Sequence, residues 1–281
     1  MKLAASLATG CLFLASPVLA SVDPAPVVAA ERAFAADGLS MGIRDSFLKH
    51  AATDAIVFQP GPVRVHDAFP GSPADSGGPP LVWWPLWAGI SRSGDLGFTT
   101  GPFTFNGRPG GYYFTVWKRQ ANGGWKWIYD GGPASDPVGA APQGSPVNYL
   151  PLSTARAGSA KRAVAQVQIL EHQLNGAADL TAAYLAVMAP EGRVAGSRTA
   201  PENTPAGQAR ELALRPAGLT LSARSAVSAQ AGDLVWTWGD AAWTKDSQAR
   251  MGHYVRIWQD RKGGWKLIYD ALLPAPPKAA G

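Results

Sequence analysis

Apolar residues at a spacing of two occur in two stretches of this chain that also share most of their letters. Residues 111–130 read GYYFTVWKRQANGGWKWIYD, and residues 252–270 read GHYVRIWQDRKGGWKLIYD. Aromatic and β-branched residues in this pattern predict strands, and the Gly-Gly step inside each stretch predicts a tight hairpin turn. Each stretch is therefore expected to form two antiparallel strands.

Both faces of these predicted strands are apolar. Along residues 111–119, Tyr113 and Trp117 fall on one face, and Phe114 and Val116 fall on the other. One face can pack on helices, but the other needs a second cover because monomers rarely expose large apolar patches. The repeat supplies that cover, so we expect the two copies to pack together as an intrachain pseudo-dimer.

The repeat extends upstream of the hairpins. SGDLGFTTG (93–101) matches AGDLVWTWG (231–239), and DSFLKHAATDAIVF (45–58) lies against AAYLAVMAPEGRVA (182–195). Apolar residues at helical spacing precede both copies and predict that each copy begins with helices. Self-similarity at an offset of about 140 residues predicts two domains of about 110 residues each.

The segment between the copies is rich in Gly, Pro, Ser and Ala, a composition typical of linkers. The predicted division is a signal peptide at 1–20, a first domain at 24–131, a linker at 132–159, a diverged second domain at 160–273 and a tail at 274–281.

The N-terminus has the pattern of a targeting segment. Lys2 precedes an apolar run over residues 3–19, and residues 18–20 fit the small-x-small cleavage pattern. We expect the mature chain to begin at Ser21 and to be periplasmic or secreted. A lipoprotein is disfavoured, because the apolar run continues past Cys11. No later apolar run reaches the ~20 residues of a membrane span, so no membrane insertion is expected after cleavage.

Charge and cysteine content narrow the chemistry further. The formal net charge is +5, and the densest basic group, Arg156, Lys161 and Arg162, lies at the start of a predicted helix, so nucleic-acid binding is not expected. Cys11 is the single cysteine and leaves with the signal, which removes any thiolate or sulfur ligand. No two of the four histidines have metal-ligand spacing, so we predict no metal and no cofactor.

Together these motifs resemble the NTF2-like superfamily, and within it the DUF4440/SnoaL-like branch of unknown function. The resemblance rests on AIVFQPG (55–61), SGDLGFTTG and the strand pair at 111–130, and it is weak between residues 190 and 219. It implies an α+β chain of two tandem cones, each a curved antiparallel sheet wrapped on N-terminal helices, with a pocket at the wide end. This fold hosts isomerases, dehydratases, epoxide hydrolases and binding modules, so it does not decide the reaction.

The resemblance also allows a test for isomerase chemistry. A ketosteroid-isomerase-like base would stand just before the proline that ends the first strand, a position held here by Gln59. An amide cannot take a proton from carbon, and the second copy has Gly196 there, so an isomerase of that type is not expected. The candidates that remain for a base are His66, in the irregular segment, and Asp45, on the second predicted helix.

Residues 79–90, PPLVWWPLWAGI, hold three tryptophans within five positions, and the second copy has none there. In a strand, Trp83 and Trp87 would share one face. The interpretation we favour is that the first domain binds a small apolar or aromatic molecule and that the second supports it. The expected ligand contacts are Gln59, Trp83, Trp87, Tyr113 and Trp117.

Three alternatives stay open. The tryptophans can be core packing, the protein can be a small-molecule lyase, isomerase or hydrolase of the SnoaL-like type, or it can be a structural or interaction module with filled pockets.

Two pairs of aspartates are shared by the copies. Asp95 and Asp233 each follow a glycine where a turn enters a strand, and we expect them to bond the local backbone. Asp130 and Asp270 each end the last strand, where backbone pairing is favoured and a carboxylate at the rim of a pocket is the alternative.

Overall fold

A computed structural model describes residues 22–71, 78–156 and 158–276. The predicted signal peptide (1–20) lies outside the described residues, as does most of the predicted tail. Within the described ranges, no helix is both long enough and apolar enough to cross a membrane. We call residues 22–156 the first half and residues 158–276 the second half.

The first half begins with two helices and continues with strands, as the apolar pattern predicts. Its elements are α1 (Ala25–Met41), α2 (Ile43–His50), β1 (Ala51–Phe58), β2 (Pro62–Arg64), α3 (Val65–Ala68), β3 (Leu81–Trp83), β4 (Trp87–Ile90), β5 (Leu96–Phe105), β6 (Arg108–Arg119), β7 (Trp125–Gly131) and β8 (Asn148–Tyr149).

The second half repeats this order in shorter form. Its elements are α4 (Ala160–Asn175), α5 (Leu180–Val187), β9 (Met188–Ala195), α6 (Pro205–Ala213), β10 (Thr220–Ser228), β11 (Leu234–Lys245), β12 (Gln248–Arg261) and β13 (Gly264–Pro274).

Each half contributes one sheet, and the fold is α+β with curved, mixed sheets. The strand orders are β2-β1-β7-β6-β5-β4-β8, with β3 also on β5, and β10-β11-β12-β13-β9. The long hairpins are antiparallel, as expected. The expectation of wholly antiparallel sheets is wrong, because β1 pairs with β7, and β9 with β13, in parallel. More than 60 residues separate the two strands of each parallel pair, which leaves ample chain for the crossover that parallel strands require.

The repeat in sequence is also a repeat in structure. Strands β5, β6 and β7 are neighbours in the first sheet, and β11, β12 and β13 are neighbours in the same order in the second sheet. The register of β6 on β7 shifts between Val116 and Trp117, and that of β12 on β13 shifts at the equivalent Ile257 and Trp258. Because such irregularities bend a strand, both sheets bend at the same position.

The two sheets pack against each other through their aromatic faces. Phe114 of the first half stacks on Tyr269 of the second at 3.8 Å between ring centroids, and Tyr129 lies 5.7 Å from Trp236. Buried side chains from both halves form one continuous apolar cluster. The second apolar face of each sheet is therefore covered from within the chain.

The Gly-Asp turns hold the two halves together at one edge. Asp233 Oδ2 accepts from the Arg92 backbone N–H at 2.9 Å, and Asp95 Oδ2 accepts from the Gln230 backbone N–H at 3.0 Å. Donors and acceptors are equivalent in the two halves, so the contact is reciprocal. We expected each aspartate to bond its local backbone, but each accepts a hydrogen bond from the backbone of the opposite half.

The segment expected to be a linker packs on both halves. Strand β8 pairs in parallel with β4, and Leu150 is buried in the shared apolar cluster. The carbonyl of Pro151 accepts from Gln259 Nε2 at 2.9 Å. The apolar residues near its end explain this packing. The linker was expected because Gly, Pro and Ser outweigh these apolar residues in the composition of the segment.

Candidate functional site

The first half contains a cavity of about 400 Å³. Helices α1 and α2 bound it on one side, and strands β3, β5, β6 and β7 bound it on the other. Its lining is aromatic and apolar apart from one carboxyl and two tyrosines. The lining residues are Phe34, Phe47, Leu81, Trp83, Phe103, Gly110, Tyr112, Tyr113, Asp130, Gly131, Gly132, Pro133 and Ala134.

Close backbone approach positions the tryptophan wall of this cavity. A Cβ atom at Gly101 would lie 1.9 Å from the carbonyl oxygen of Trp84, so only glycine lets the connection between β3 and β4 cross strand β5 here. Trp83 then lies over helix α1, with its ring centroid 4.8 Å from that of Phe34.

Asp130 is the one carboxyl in the cavity wall. Thr115 Oγ1 donates to Asp130 Oδ1 at 2.6 Å, and the described residues supply no partner for Oδ2. Burial raises the pKa of Asp130 to about 8, and the nearby Glu31 adds to the rise. At neutral pH the group is therefore mostly a carboxylic acid that can donate a hydrogen bond into the cavity.

Tyr113 adds a second polar group to the cavity wall. Its hydroxyl is buried and has no hydrogen-bond partner among the described residues, which is unusual for a buried polar group. Burial raises the pKa of this phenol well above its ordinary value, with Glu31 and Asp130 contributing, so it stays neutral. The residue contributes to the lining, but its buried hydroxyl is not open to the cavity.

A buried glutamate fixes the floor of the cavity. Glu31, on α1, accepts from Trp83 Nε1 at 2.5 Å, from Trp117 Nε1 at 3.0 Å and from the Thr99 hydroxyl. Burial raises the pKa of Glu31, and these donors lower it in part. The glutamate thereby holds the indole of Trp83 in place.

The second half repeats this floor. Glu171 accepts from Thr237 Oγ1 at 2.5 Å, from Trp258 Nε1 at 3.0 Å and from the Tyr254 hydroxyl at 2.9 Å. Because the glutamate, threonine and tryptophan recur in both halves, their shared role is to support the fold. The shared threonines (Thr99 and Thr237) and tryptophans (Trp117 and Trp258) are apparent from the repeat, but sequence reasoning missed the two glutamates, although Glu31 and Glu171 stand 140 positions apart on matched helices.

The space above this second floor is filled. Arg256 occupies the position of Thr115, and its Nε donates to Asp270 Oδ1 at 2.7 Å. Arg215 donates to the other oxygen of Asp270 at 2.6 Å, and Arg256 also contacts the Tyr184 hydroxyl. A volume of only about 20 Å³ remains among these side chains.

Two of the expected ligand contacts line the cavity of the first half, namely Trp83 and Tyr113. Trp117 lies beneath it, buried on Glu31. Trp87 is on the opposite face of the sheet, with Phe98 at 4.9 Å and the guanidinium of Arg193 at 4.5 Å. The even spacing of Trp83 and Trp87 does not put them on one face, because strand structure is interrupted between them.

The other expected site residues lie outside the cavity. Gln59 is exposed at the end of β1, and His66 is exposed on the short helix α3. Asp45 is paired with Arg44 at 2.6 Å. None of the three faces the aromatic lining, so the carboxyl of Asp130 is the acid–base group that the structure offers there.

No family model matches this chain, and no curated protein does. Several solved structures are similar to part of it. An NTF2-like protein of unknown function from Pseudomonas putida KT2440 is 12% identical, over 41% of this chain and 89% of its own, with a TM-score of 0.36. An NTF2-like protein with a cystatin-like fold from Novosphingobium aromaticivorans is 13% identical, over 42% and 86%, with a TM-score of 0.34. The epoxide hydrolase/cyclase-like enzyme SalBIII is 13% identical, over 41% and 91%, with a TM-score of 0.33.

Proposed function

We propose that the first half binds a small apolar or aromatic molecule that carries a hydrogen-bonding group, and that the second half supports it. The observation behind this proposal is the cavity of about 400 Å³ whose aromatic wall includes the neutral acid Asp130. Apolar pockets with a few convergent polar groups are typical of small-molecule sites.

The architecture proposed with this function is a tandem of two NTF2-like cones packed as an intrachain pseudo-dimer. The matched strand order and matched register shifts support two copies of one fold. The reciprocal bonds of Asp95 and Asp233 support a pseudo-two-fold contact, because a two-fold interface uses the same patch on both sides. The predicted export of the chain, to a periplasmic or secreted location, belongs to the same proposal.

Titration with N-phenyl-1-naphthylamine, a neutral aromatic dye that fluoresces in apolar surroundings, tests binding. We expect one saturable site per chain. Leu81→Trp should abolish it, because Leu81 is half-buried in the cavity wall and a larger side chain there fills the space. Leu214→Trp is the matched control, since Leu214 is exposed outside this cavity. Binding that survives Leu81→Trp, or the absence of saturable binding in the full chain, would contradict the proposal.

A second candidate function is proton-transfer catalysis, as a small-molecule lyase, isomerase or hydrolase. The raised pKa of Asp130 favours it, because general acids and bases work best with a pKa near the operating pH. In this proposal Asp130 replaces His66 and Asp45 as the group that gives or takes the proton. Asp130→Asn should then abolish turnover and retain dye binding, whereas His66→Gln should leave turnover unchanged.

A filled structural module is the third class. The second half fits that description, with about 20 Å³ left among its side chains. The open cavity of the first half favours binding over a purely structural role for the whole chain.

A further inference from the structure

A second, larger cleft of about 590 Å³ adjoins the first cavity and lies between the two halves. The backbone of residues 132–134 belongs to the walls of both spaces. In this shared wall Gly132 packs closely on strand β6: a Cβ atom there would lie 2.3 Å from the carbonyl oxygen of Tyr112, so no side chain fits. Ala134, the last residue of the wall, is exposed.

The far side of this cleft is basic. Arg198, Lys245 and Arg250 line it, and the lining includes no carboxylate. Among the described residues, none of these three cations forms an ion pair, whereas Arg215, Arg224 and Arg256 of the same half all do. A cleft with three such cations attracts an anion.

The backbone around this cleft is held in place from both halves. Arg198 has a left-handed backbone with φ of 79°, which is costly for a residue with a side chain and is kept only where surrounding contacts fix it. Its carbonyl accepts from the Asp136 backbone N–H at 2.8 Å, and a bridge joins it to Ser135. The segment that separates the two spaces is therefore tied directly to the basic side.

We propose that the ligand of the first half is an anion whose apolar or aromatic body occupies the aromatic cavity and whose acidic group, a carboxylate or sulfonate, lies in the basic cleft across residues 132–134. This inference rests on the proposed function and adds the charge of the ligand. The neutral carboxyl of Asp130 is compatible with it, because an ionised aspartate in the cavity would repel an anion.

A matched pair of dyes tests this inference on the full chain. N-phenyl-1-naphthylamine and its 8-sulfonate share one aromatic body and differ by one negative charge. We expect the sulfonate to bind about tenfold more tightly at low salt, since three exposed charge contacts contribute about twofold each. Added sodium chloride should reduce this advantage, because exposed charges are screened. Leu81→Trp should abolish binding of both dyes.

Two sets of variants locate the charge preference. Replacing Arg198, Lys245 and Arg250 together by alanine should bring the sulfonate to the affinity of the neutral dye and leave the neutral dye unchanged. Ala134→Glu should weaken the sulfonate more than the neutral dye, whereas Ala134→Gln, which has the same shape without the charge, should change the affinities of both dyes by the same factor.

The outcomes separate the two proposals. Equal affinities for the two dyes, both lost in Leu81→Trp, would overturn the anionic ligand and leave the binding site standing. A sulfonate preference that survives the triple alanine variant, or sulfonate binding that survives Leu81→Trp, would also overturn it. If neither dye binds, the proposed function fails and the inference fails with it.

Discussion

Asp130 and Asp270 occupy equivalent positions on strands β7 and β13, but the residue across the neighbouring strand differs. Asp130 faces Thr115 and one hydroxyl donor at 2.6 Å, whereas Asp270 faces Arg256 at 2.7 Å and is also bonded by Arg215. Beside the first carboxyl about 400 Å³ is open, and beside the second about 20 Å³ remains.

Two further pairs of positions follow the same division. Phe47 lines the open cavity, and its equivalent Tyr184 places a hydroxyl on Arg256. Tyr113 has an unpartnered hydroxyl, and its equivalent Tyr254 donates to Glu171. One half thus pairs its polar groups with each other, whereas in the other half Asp130 lines the cavity and the Tyr113 hydroxyl stays buried without a partner among the described residues.

The difference shows how two similar halves of one chain can differ in whether their interior is filled or open. A buried ion pair contributes little net stability, but it is costly to break once built, because each charge depends on its partner. The second half is therefore held closed by its charges. The first half has a carboxyl that is neutral instead of paired, and a neutral carboxyl can face an apolar space.

The largest expected effect comes from one substitution made at both equivalent positions. Asp270→Asn removes the closer of the two carboxylates that pair with the buried Arg256, at 2.7 Å against 3.4 Å for Glu171, and should destabilise the protein by about 3–5 kcal/mol. Asp130→Asn replaces a mostly neutral acid by a neutral amide of the same shape, so stability at pH 7 should be unchanged or higher. Urea unfolding of both variants measures the difference. Equal losses would show that the two carboxyls are in the same state.

The next largest effect closes the open half. Thr115→Arg with Phe47→Tyr introduces the two side chains that fill the second half, and the new arginine should pair with Asp130. We expect affinity for N-phenyl-1-naphthylamine to fall about 100-fold, or about 3 kcal/mol. Thr115→Val with Phe47→Tyr is the control that adds no charge and little volume. Unchanged dye affinity in the arginine variant would mean that the dye binds elsewhere.

Much of the fold follows from local pattern. The spacing of apolar residues and the positions of the glycines predict the two hairpins, at 111–130 and 252–270, and their turns. The repeat of this pattern predicts the division into two halves. The direction of β1 was not predictable in this way. Pairing between β1 and β7 brings together strands that are far apart in the sequence. The residues near β1 do not indicate which strand it pairs with.

The candidate site was less accessible from sequence. Trp83 and Tyr113 are in the cavity as expected, but Trp87 is not, because the strand breaks between the tryptophans. The state of Asp130 depends on Thr115, 15 positions away, and on burial by residues from other elements. A comparison of the equivalent residues Thr115 and Arg256 could have indicated from the sequence that Asp130 has no cationic partner where Asp270 has one.

The third effect is the pH dependence of stability that comes from Asp130 in the first half. Folding raises the pKa of Asp130 from its ordinary value to about 8. At a pH between these two pKa values the group is ionised in the unfolded chain and protonated in the folded protein, so folding takes up a proton. Stability from this group is present at low pH and is lost as pH rises toward 8. The limit for one proton is about 1.4 kcal/mol per pH unit.

Asp130→Asn should therefore match the unmodified protein near pH 4 and exceed its stability at pH 7, by on the order of 2 kcal/mol. Urea midpoints at several pH values measure this. A slope remains in the variant, because burial also raises the pKa of Glu31. Parallel profiles for the two proteins would contradict a raised pKa at Asp130.

The smallest effect compares the two aspartates that join the halves. Asp233 is buried and bonds the Arg92 backbone, whereas Asp95 is half-exposed and bonds the Gln230 backbone. A lost bond leaves a larger penalty where water cannot replace it, so Asp233→Ala should cost about 2 kcal/mol and Asp95→Ala less than about 1 kcal/mol. The asparagine variants retain an acceptor oxygen and should recover part of each loss. Thermal unfolding measures all four variants. An equal or larger cost for Asp95→Ala would show that the reciprocal contact depends on the exposed side as much as on the buried one.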